Sequence, residues 1–115
     1  MKIIKLEEIK EFKNSDSCCV LEYPLDDKDI NIALAKINGR YPEKGFALNT
    51  ECKEIGYVVE GVGKLVVENK TIELKKGDVI LIEVGEKFYW EGDLEILMPC
   101  APAWTPEQYK IISEN

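Results

Sequence analysis

The stretch EIGYVVEG at residues 54–61 and the stretch GDVILIEVGEKF at residues 77–88 decide the fold. In the first, a glutamate is followed by six residues and a glycine. In the second, a glycine is followed by five residues, then Glu83-Val84-Gly85, two further residues and Phe88. Fifteen residues separate Gly61 from Gly77. β-Branched and aromatic residues favour strands, and glycine favours turns, so both stretches predict short strands bounded by turns.

The same alternation of short β-runs and turn residues extends outward from these stretches, from about residue 18 to residue 98. We predict strands at residues 18–24, 30–37, 55–59, 65–68, 71–74, 79–82, 87–90 and 94–98. Turns are predicted at residues 26–29, 69–70 and 91–93. The run from Val79 to Ile82 is apolar at every position, which predicts a central strand buried on both faces. The pattern indicates an all-β sandwich or barrel.

Helix signals are confined to the two ends of the chain. Leu6, Ile9 and Phe12 lie three residues apart, which predicts a short amphipathic helix over residues 6–13. Thr105 has the pattern of a helix cap, Pro106 that of a first helical position, and Gln108 closes a capping box, which predicts a short helix to about residue 112.

The two central stretches resemble the two sequence motifs of the cupin superfamily, G-x5-H-x-H-x(3 or 4)-E-x6-G and G-x5-P-x-G-x2-H-x3-N. The resemblance covers about residues 39–93, and the glycine and glutamate spacings fit across both motifs and the gap between them. It implies a cupin-like jelly-roll β-barrel with short terminal helices, in which residues 1–115 form a single domain.

The chain departs from the cupin pattern at the residues that usually bind a metal, because it contains no histidine. Of the three histidines and the glutamate that the resemblance implies as ligands, only the glutamate remains, as Glu54. The third histidine position is occupied by Phe88. Counting back from Glu54, the histidine pair corresponds either to Ala47 and Asn49 or to Leu48 and Thr50.

One carboxylate cannot hold a transition metal, since such sites need three or four protein ligands. We therefore expect no metal and no cofactor. The alternative is a mixed site in which Cys52, which shares strand parity with Glu54, and Cys19 or Cys100 replace the histidines. The four cysteines have no C-x-x-C spacing, and we expect small buried free thiols.

Several residues are candidates for contacting a small ligand in the barrel. Phe88 and Trp90 share one strand face, which in a cupin-like barrel lies beside Glu54; they serve either core packing or as a stacking wall. Arg40, the chain's one arginine, suits either carboxylate or phosphate recognition or a structural ion pair. The candidate ligand-binding residues are Asn49, Cys52, Glu54, Phe88, Trp90 and Arg40.

Composition excludes several classes of function. With 15 Lys plus Arg against 22 Asp plus Glu, the net charge is −7, and no basic run suits nucleic acid. Apolar runs of four or five residues are too short to span a membrane, and the first residues lack the pattern of a signal peptide. We expect a cytoplasmic protein.

The cupin resemblance, with apolar strands that 115 residues do not fully cover, predicts a homodimer.

Because the chain has no histidine, it cannot form a Ser-His-Asp or Cys-His catalytic arrangement. The first hypothesis is a metal-free cupin-like protein that binds a small molecule. The second is an isomerase or lyase in which Glu54 acts as general acid or base, aided by Tyr57 or Cys52. The third is a structural or regulatory dimeric domain with a filled barrel. An open cavity that contains Glu54 favours the first two hypotheses over the third.

Overall fold

The computed structural model describes residues 1–113, and most of them lie in one curled antiparallel sheet of nine strands. The strands are β1 (Lys10–Ser15), β2 (Cys18–Glu22), β3 (Asn31–Tyr41), β4 (Phe46–Asn49), β5 (Lys53–Val67), β6 (Lys70–Lys75), β7 (Val79–Ile82), β8 (Phe88–Ala101) and β9 (Tyr109–Ile112). Two single 3₁₀ turns, Leu6–Glu8 and Pro106–Gln108, complete the secondary structure of this part of the chain. The predicted all-β, cupin-like barrel is confirmed.

The long strand β8 organises the sheet, because it pairs with β3 on one side and with β5 on the other. The sheet continues from β3 to β2 and β1, whereas β5 also pairs with β6 and β7. β4 joins β8 through one residue pair and joins β9 through four. This connectivity curls the sheet so that one face of each central strand points into the barrel.

The core follows from the two-residue period of the strands. Even-numbered residues of β8 and the first part of β5 point inward, and Val58, Leu94 and Ile96 are fully buried. Phe88 and Trp90 meet edge to face, with 6.3 Å between ring centroids. Each fully buried aliphatic or aromatic side chain of this size contributes about 1.5–3 kcal/mol. All four cysteines are free thiols, and three of them are buried.

The two predicted terminal helices are wrong beyond a single turn. The first stops at Glu8, and Lys10–Ser15 instead forms a strand paired with β2. At the other end one turn precedes Tyr109–Ile112, which pairs with β4. In both places the apolar period covers too few residues to outweigh the hydrogen bonds of an adjacent strand edge.

Residues 1–113 contain no helix long and apolar enough to cross a membrane.

Two predicted turns also differ from the structure. The β5–β6 hairpin turns at Glu68 and Asn69, one residue earlier than predicted, because Lys70 already pairs with Val67. Glu68 itself adopts the left-handed conformation, with φ of 54°. The stretch 91–93 is no turn: β8 runs straight through it, with Gly92 opposite Gly39 in β3 and Gly63 in β5. Glycine here permits close approach of strands.

The apolar run Val79–Ile82 is an edge strand, not the predicted centre of the core. Among the strands of residues 1–113, β7 pairs only with β5. Ile82 is buried, but Val79 is 62% and Leu81 49% exposed. The outward side of this strand is thus apolar without being covered.

Candidate functional site

A cavity of about 520 Å³ occupies the interior of the barrel. Its walls are the inward residues of β2, β3 and β8, together with Tyr109 of β9 and the segment that precedes it. Seven aromatic residues line it: Phe12, Tyr23, Tyr41, Phe88, Trp90, Trp104 and Tyr109. The volume and the mostly apolar lining with a few polar groups are typical of small-molecule sites.

Glu54 projects into this cavity from β5, because even-numbered residues at this end of the strand face inward. Glu54 is buried, with an exposed fraction of only 7%. The Asn49 amide nitrogen donates to Oε1 over 3.3 Å, and the Cys100 thiol donates to Oε2 over 3.3 Å. Burial raises the pKa of the Glu54 carboxyl, and these two hydrogen bonds only partly oppose that shift.

Gln108 fixes the direction of the hydrogen bonds that reach Glu54. Its side-chain oxygen accepts from the backbone N–H groups of Glu51 and Cys52, over 3.1 and 3.3 Å. Its amide nitrogen must therefore donate, and it does so to Oδ1 of Asn49 over 2.9 Å. Asn49 is left with its nitrogen facing Glu54. Backbone polarity thus determines that Glu54 receives a donor on Oε1.

Two tyrosines add hydroxyl groups to the same cavity. Tyr41 and Tyr109 both line the cavity, and they lie close enough to influence each other's pKa. Burial, followed by Tyr41 and the neighbouring Glu54 carboxylate, raises the pKa of Tyr109, so its hydroxyl stays protonated at physiological pH. The cavity therefore brings a carboxyl group and a phenolic proton donor together.

Trp104 forms a further wall, held by the start of β3. The Asn31 amide donates to the Trp104 carbonyl over 3.1 Å and accepts from its N–H over 2.9 Å. The Trp104 ring lies 5.5 Å from that of Tyr109, centroid to centroid. The segment before β9 is thereby fixed against the cavity.

The structure brings most of the residues predicted from sequence together. Glu54, Phe88 and Trp90 line the cavity. Asn49 is not part of the lining but donates a hydrogen bond to Glu54. Cys52 is buried outside the cavity lining, and burial, then the Glu54 charge, raises its pKa to about 11. This thiol is therefore neutral and packed, as free buried cysteines usually are.

Arg40 is not brought to the cavity. Its guanidinium donates to the carbonyls of Glu43 and Gly45, over 2.8 and 2.9 Å, and lies 3.8 Å from the centre of the Tyr89 ring. It holds the loop between β3 and β4. Tyr57 also lies elsewhere, on the outer face of β5 and 41% exposed, so it does not assist Glu54.

Sequence reasoning missed Gln108, Tyr41 and Tyr109. Gln108 and Tyr109 lie where a helix was predicted, so Gln108 was interpreted as part of a helix cap. Tyr41 ends a strand far from Tyr109 in sequence, and only the closed barrel joins them. No local pattern marks any of the three.

The positions that correspond to the histidines of the cupin motif offer no metal ligand. Ala47 and Asn49 are the inward pair, both fully buried, which settles the register that the sequence left open. Ala47 pairs directly with Phe88. These positions offer a methyl group, an amide already bonded to Gln108 and a phenyl ring, none of which is a metal ligand of ordinary strength. Within residues 1–113, no three Cys, Asp or Glu side chains converge to hold a cation.

Comparison with known proteins agrees with this architecture. The family model described as cupin domain matches residues 43–98. Among solved structures, Streptomyces PAC13 variants with uridine superpose with a TM-score of 0.88 and 17% identity, covering 98% of this chain and 91% of that chain. PAC13 is described as a nucleoside dehydratase.

Two further structures share the fold. Ectoine synthase from P. lautus superposes with a TM-score of 0.74 and 17% identity, covering 97% of this chain and 90% of that chain. KdgF from Halomonas sp. superposes with a TM-score of 0.70 and 17% identity, covering 88% and 94%. No curated protein matches the sequence significantly. The chain is therefore similar to the cupin domain family over residues 43–98, and its barrel has the cupin-like fold of these structures.

Proposed function

We propose that the barrel cavity binds an uncharged small molecule without a metal ion. The observation that carries this proposal is an open cavity of about 520 Å³ that contains a buried carboxyl group and aromatic walls. A domain with a purely structural role would gain stability by filling such a space with side chains, because unfilled interior volume costs packing energy. The open cavity therefore favours ligand binding over the structural hypothesis.

The charges around the cavity define the ligand class. Its described lining includes the acidic residues Glu22 and Glu54 and neither lysine nor arginine. A phosphate or carboxylate placed there would lose its hydration and gain no cationic partner, which is strongly unfavourable. Phe88, Trp90 and Trp104 instead offer ring faces and edges to a flat apolar group. A neutral molecule with a planar ring and hydroxyl or amide groups fits both features.

Uridine is a suitable probe, because PAC13, which shares the fold, has been solved with this nucleoside. Uridine is neutral, whereas its 5′-monophosphate carries the same base and sugar with an anionic group. We expect uridine, or another neutral heterocycle in a metabolite panel, to raise the melting temperature, and we expect each phosphorylated counterpart to have no effect. A ligand at 100 times its dissociation constant adds about 2.7 kcal/mol of stability.

Two variants make this thermal-shift screen specific to the cavity. Trp90→Leu removes a wall and should abolish the shift, whereas Glu51→Gln changes an exposed carboxylate outside the cavity and should leave it intact. The shift should also persist after treatment with a chelator. A panel in which only anions stabilise the protein, or in which Trp90→Leu binds as well as wild type, would contradict the proposal.

A second candidate function is an acid–base elimination carried out on the bound molecule. Its supporting observation is the joint presence of Glu54 and Tyr109 in one cavity, with the pKa of both groups raised. A carboxyl whose pKa is raised above its ordinary value can either take a carbon-bound proton or give one to a leaving hydroxyl. The nucleoside dehydratase activity named for PAC13 belongs to this reaction class.

This second function is tested by incubating the neutral ligands with protein and following loss of one water by mass spectrometry. Activity should disappear in Glu54→Gln while binding weakens less, because the amide keeps the shape of the carboxyl group but cannot transfer the proton. Product formation that Glu54→Gln leaves unchanged would exclude Glu54 as the acid or base.

A further inference from the structure

The outer face of the barrel carries a continuous apolar patch that crosses four strands. Leu34 of β3 pairs with Leu97 of β8, Leu97 pairs with Tyr57 of β5, and Tyr57 pairs with Val79 of β7. A second row adds Ile55, which pairs with Leu81. We call these six residues, Leu34, Ile55, Tyr57, Val79, Leu81 and Leu97, the outer patch.

The outer patch is exposed in the described chain. Val79 and Leu81 are about half exposed or more, and Ile55 and Tyr57 are each 41% exposed. These four residues present on the order of 400 Å² to solvent, which is the size of the largest apolar patch on a typical monomer, and such a patch is often functional. A standard interface buries about 800 Å² per partner, somewhat more than half of it apolar. The patch is therefore large enough to be the centre of one.

The charges at the margins of the outer patch are balanced, although the whole chain carries a net charge of −7. At one margin Lys53 forms an ion pair with Glu83, with 3.5 Å between nitrogen and oxygen. At the other margin, two residues beyond Leu34 and Leu97, Lys36 lies directly opposite Glu95. An acidic protein would repel its own copy through most surfaces, but this face presents an apolar centre with a neutral rim.

From these observations we propose that two copies of this chain pack their outer patches face to face in a two-fold dimer. A two-fold interface needs a surface that complements itself, and an apolar sheet face with paired opposite charges at its edges satisfies that condition. Two such sheets pack about 10 Å apart with their strands roughly aligned. This proposal is independent of what the cavity binds, since the outer patch lies on the opposite side of the sheet.

The test is the molar mass in solution, measured by light scattering over a range of concentrations. Wild type should approach twice the chain mass of 13.1 kDa. Leu81→Lys and Tyr57→Lys place two charges at the centre of the interface and should weaken dimerisation by roughly 100-fold or more. Ile111→Lys is the matched control, because Ile111 is a 55% exposed strand residue outside the outer patch; it should dimerise as wild type does.

Circular dichroism and a cooperative melt establish that each variant is folded before its mass is interpreted. Leu81→Ser and Tyr57→Ser, which remove apolar area without adding charge, replace a lysine variant that fails this check. The proposal is overturned if wild type is a monomer, which would leave the patch to a different partner. It is also overturned if the patch variants dimerise as tightly as wild type, or if Ile111→Lys dissociates to the same extent.

Discussion

Glu54 has donors on both carboxyl oxygens and, in the described chain, no ion-pair partner. The environment is polar enough to orient the group but too buried to favour its charge, so its folded-state pKa lies above its ordinary value. The sign of the pH effect follows. Below about pH 4 the group is protonated in both states. As the pH rises, the unfolded chain loses this proton first, so folding stability falls until the pH passes the folded-state pKa, and then stays level.

Glu54→Gln should therefore be as stable as wild type or a few degrees more stable at pH 7 to 8, and the difference should vanish near pH 4. The glutamine fits the site, because its oxygen can accept from Asn49 and its nitrogen can donate to the Cys100 sulfur. Melting temperatures of both proteins across this pH range, with Glu51→Gln as control, measure the effect. A variant several degrees less stable at neutral pH would show that the charged carboxylate stabilises the fold.

At this scale the sequence predicted the residues that the cupin motif contains or implies. Glu54, Asn49, Phe88 and Trp90 follow from motif spacing and strand parity, and the structure places all four at or beside the cavity. Gln108 and Tyr109 arrive from the end of the chain through a strand pairing that no local pattern encodes. Arg40 shows the opposite error. It was a candidate for binding an anionic ligand, but its guanidinium donates to the backbone carbonyls of Glu43 and Gly45 instead.

Among the elements, the 3₁₀ turn before β9 contributes to the stability of the core, because it places the buried side chain of Gln108 there. Gln108→Leu keeps a similar volume but leaves the N–H groups of Glu51 and Cys52 and the oxygen of Asn49 without their partner. We expect a loss of roughly 2–4 kcal/mol, measured by urea unfolding. The neighbouring exposed Glu107→Leu should cost little, and a Gln108→Leu variant of wild-type stability would show that water replaces these bonds.

The pairing of the three longest strands includes a row of glycines, Gly39, Gly92 and Gly63, which lie opposite one another in β3, β8 and β5. A Cβ atom on Gly92 would meet the Gly63 Cα at 2.5 Å and the Val62 carbonyl at 2.7 Å. Gly92 also has φ of +136°, which side chains rarely adopt. The row lets the three longest strands approach closely where the barrel curves.

Gly92→Ala should therefore destabilise the barrel by about 3 kcal/mol or more, from steric overlap plus backbone strain. Gly77→Ala is the matched control: Gly77 also has positive φ, +96°, but nothing lies within 4 Å of its added Cβ. That variant should lose only about 1–2 kcal/mol. Urea unfolding of both variants separates the two causes, and equal losses would show that overlap at Gly92 is relieved by movement of the strands.

The same glycine row explains where element prediction succeeded and failed. Strands with clear alternation, such as residues 30–37 and 94–98, were predicted correctly. Glu91-Gly92-Asp93 was predicted as a turn because glycine favours turns as well as places where paired strands approach closely. The continuous apolar run of β7 was interpreted as buried on both faces. Periodicity reports which residues are apolar, but not whether a neighbouring layer is present to cover them.

For the molecule as a whole, the sheet separates two environments. Its inner face encloses the cavity with Glu54 and the aromatic walls, and its outer face carries the outer patch. The proposed small-molecule binding and the proposed self-association therefore use opposite sides of the same strands, so Tyr57 and Leu81 on one side can change without altering Asn49 or Glu54 on the other. Variants of the two faces should have additive effects on stability, since no side chain is shared.

The inward pair Ala47 and Asn49, with Phe88 opposite Ala47, bears on how such a protein can be redesigned. All three positions are buried, and Asn49 contacts Glu54 directly. Introducing a histidine at each of these three positions would exchange side chains only and would need no rearrangement of strands. Ala47→His, Asn49→His and Phe88→His are therefore the substitutions with which a protein engineer would begin to build a metal site in this barrel.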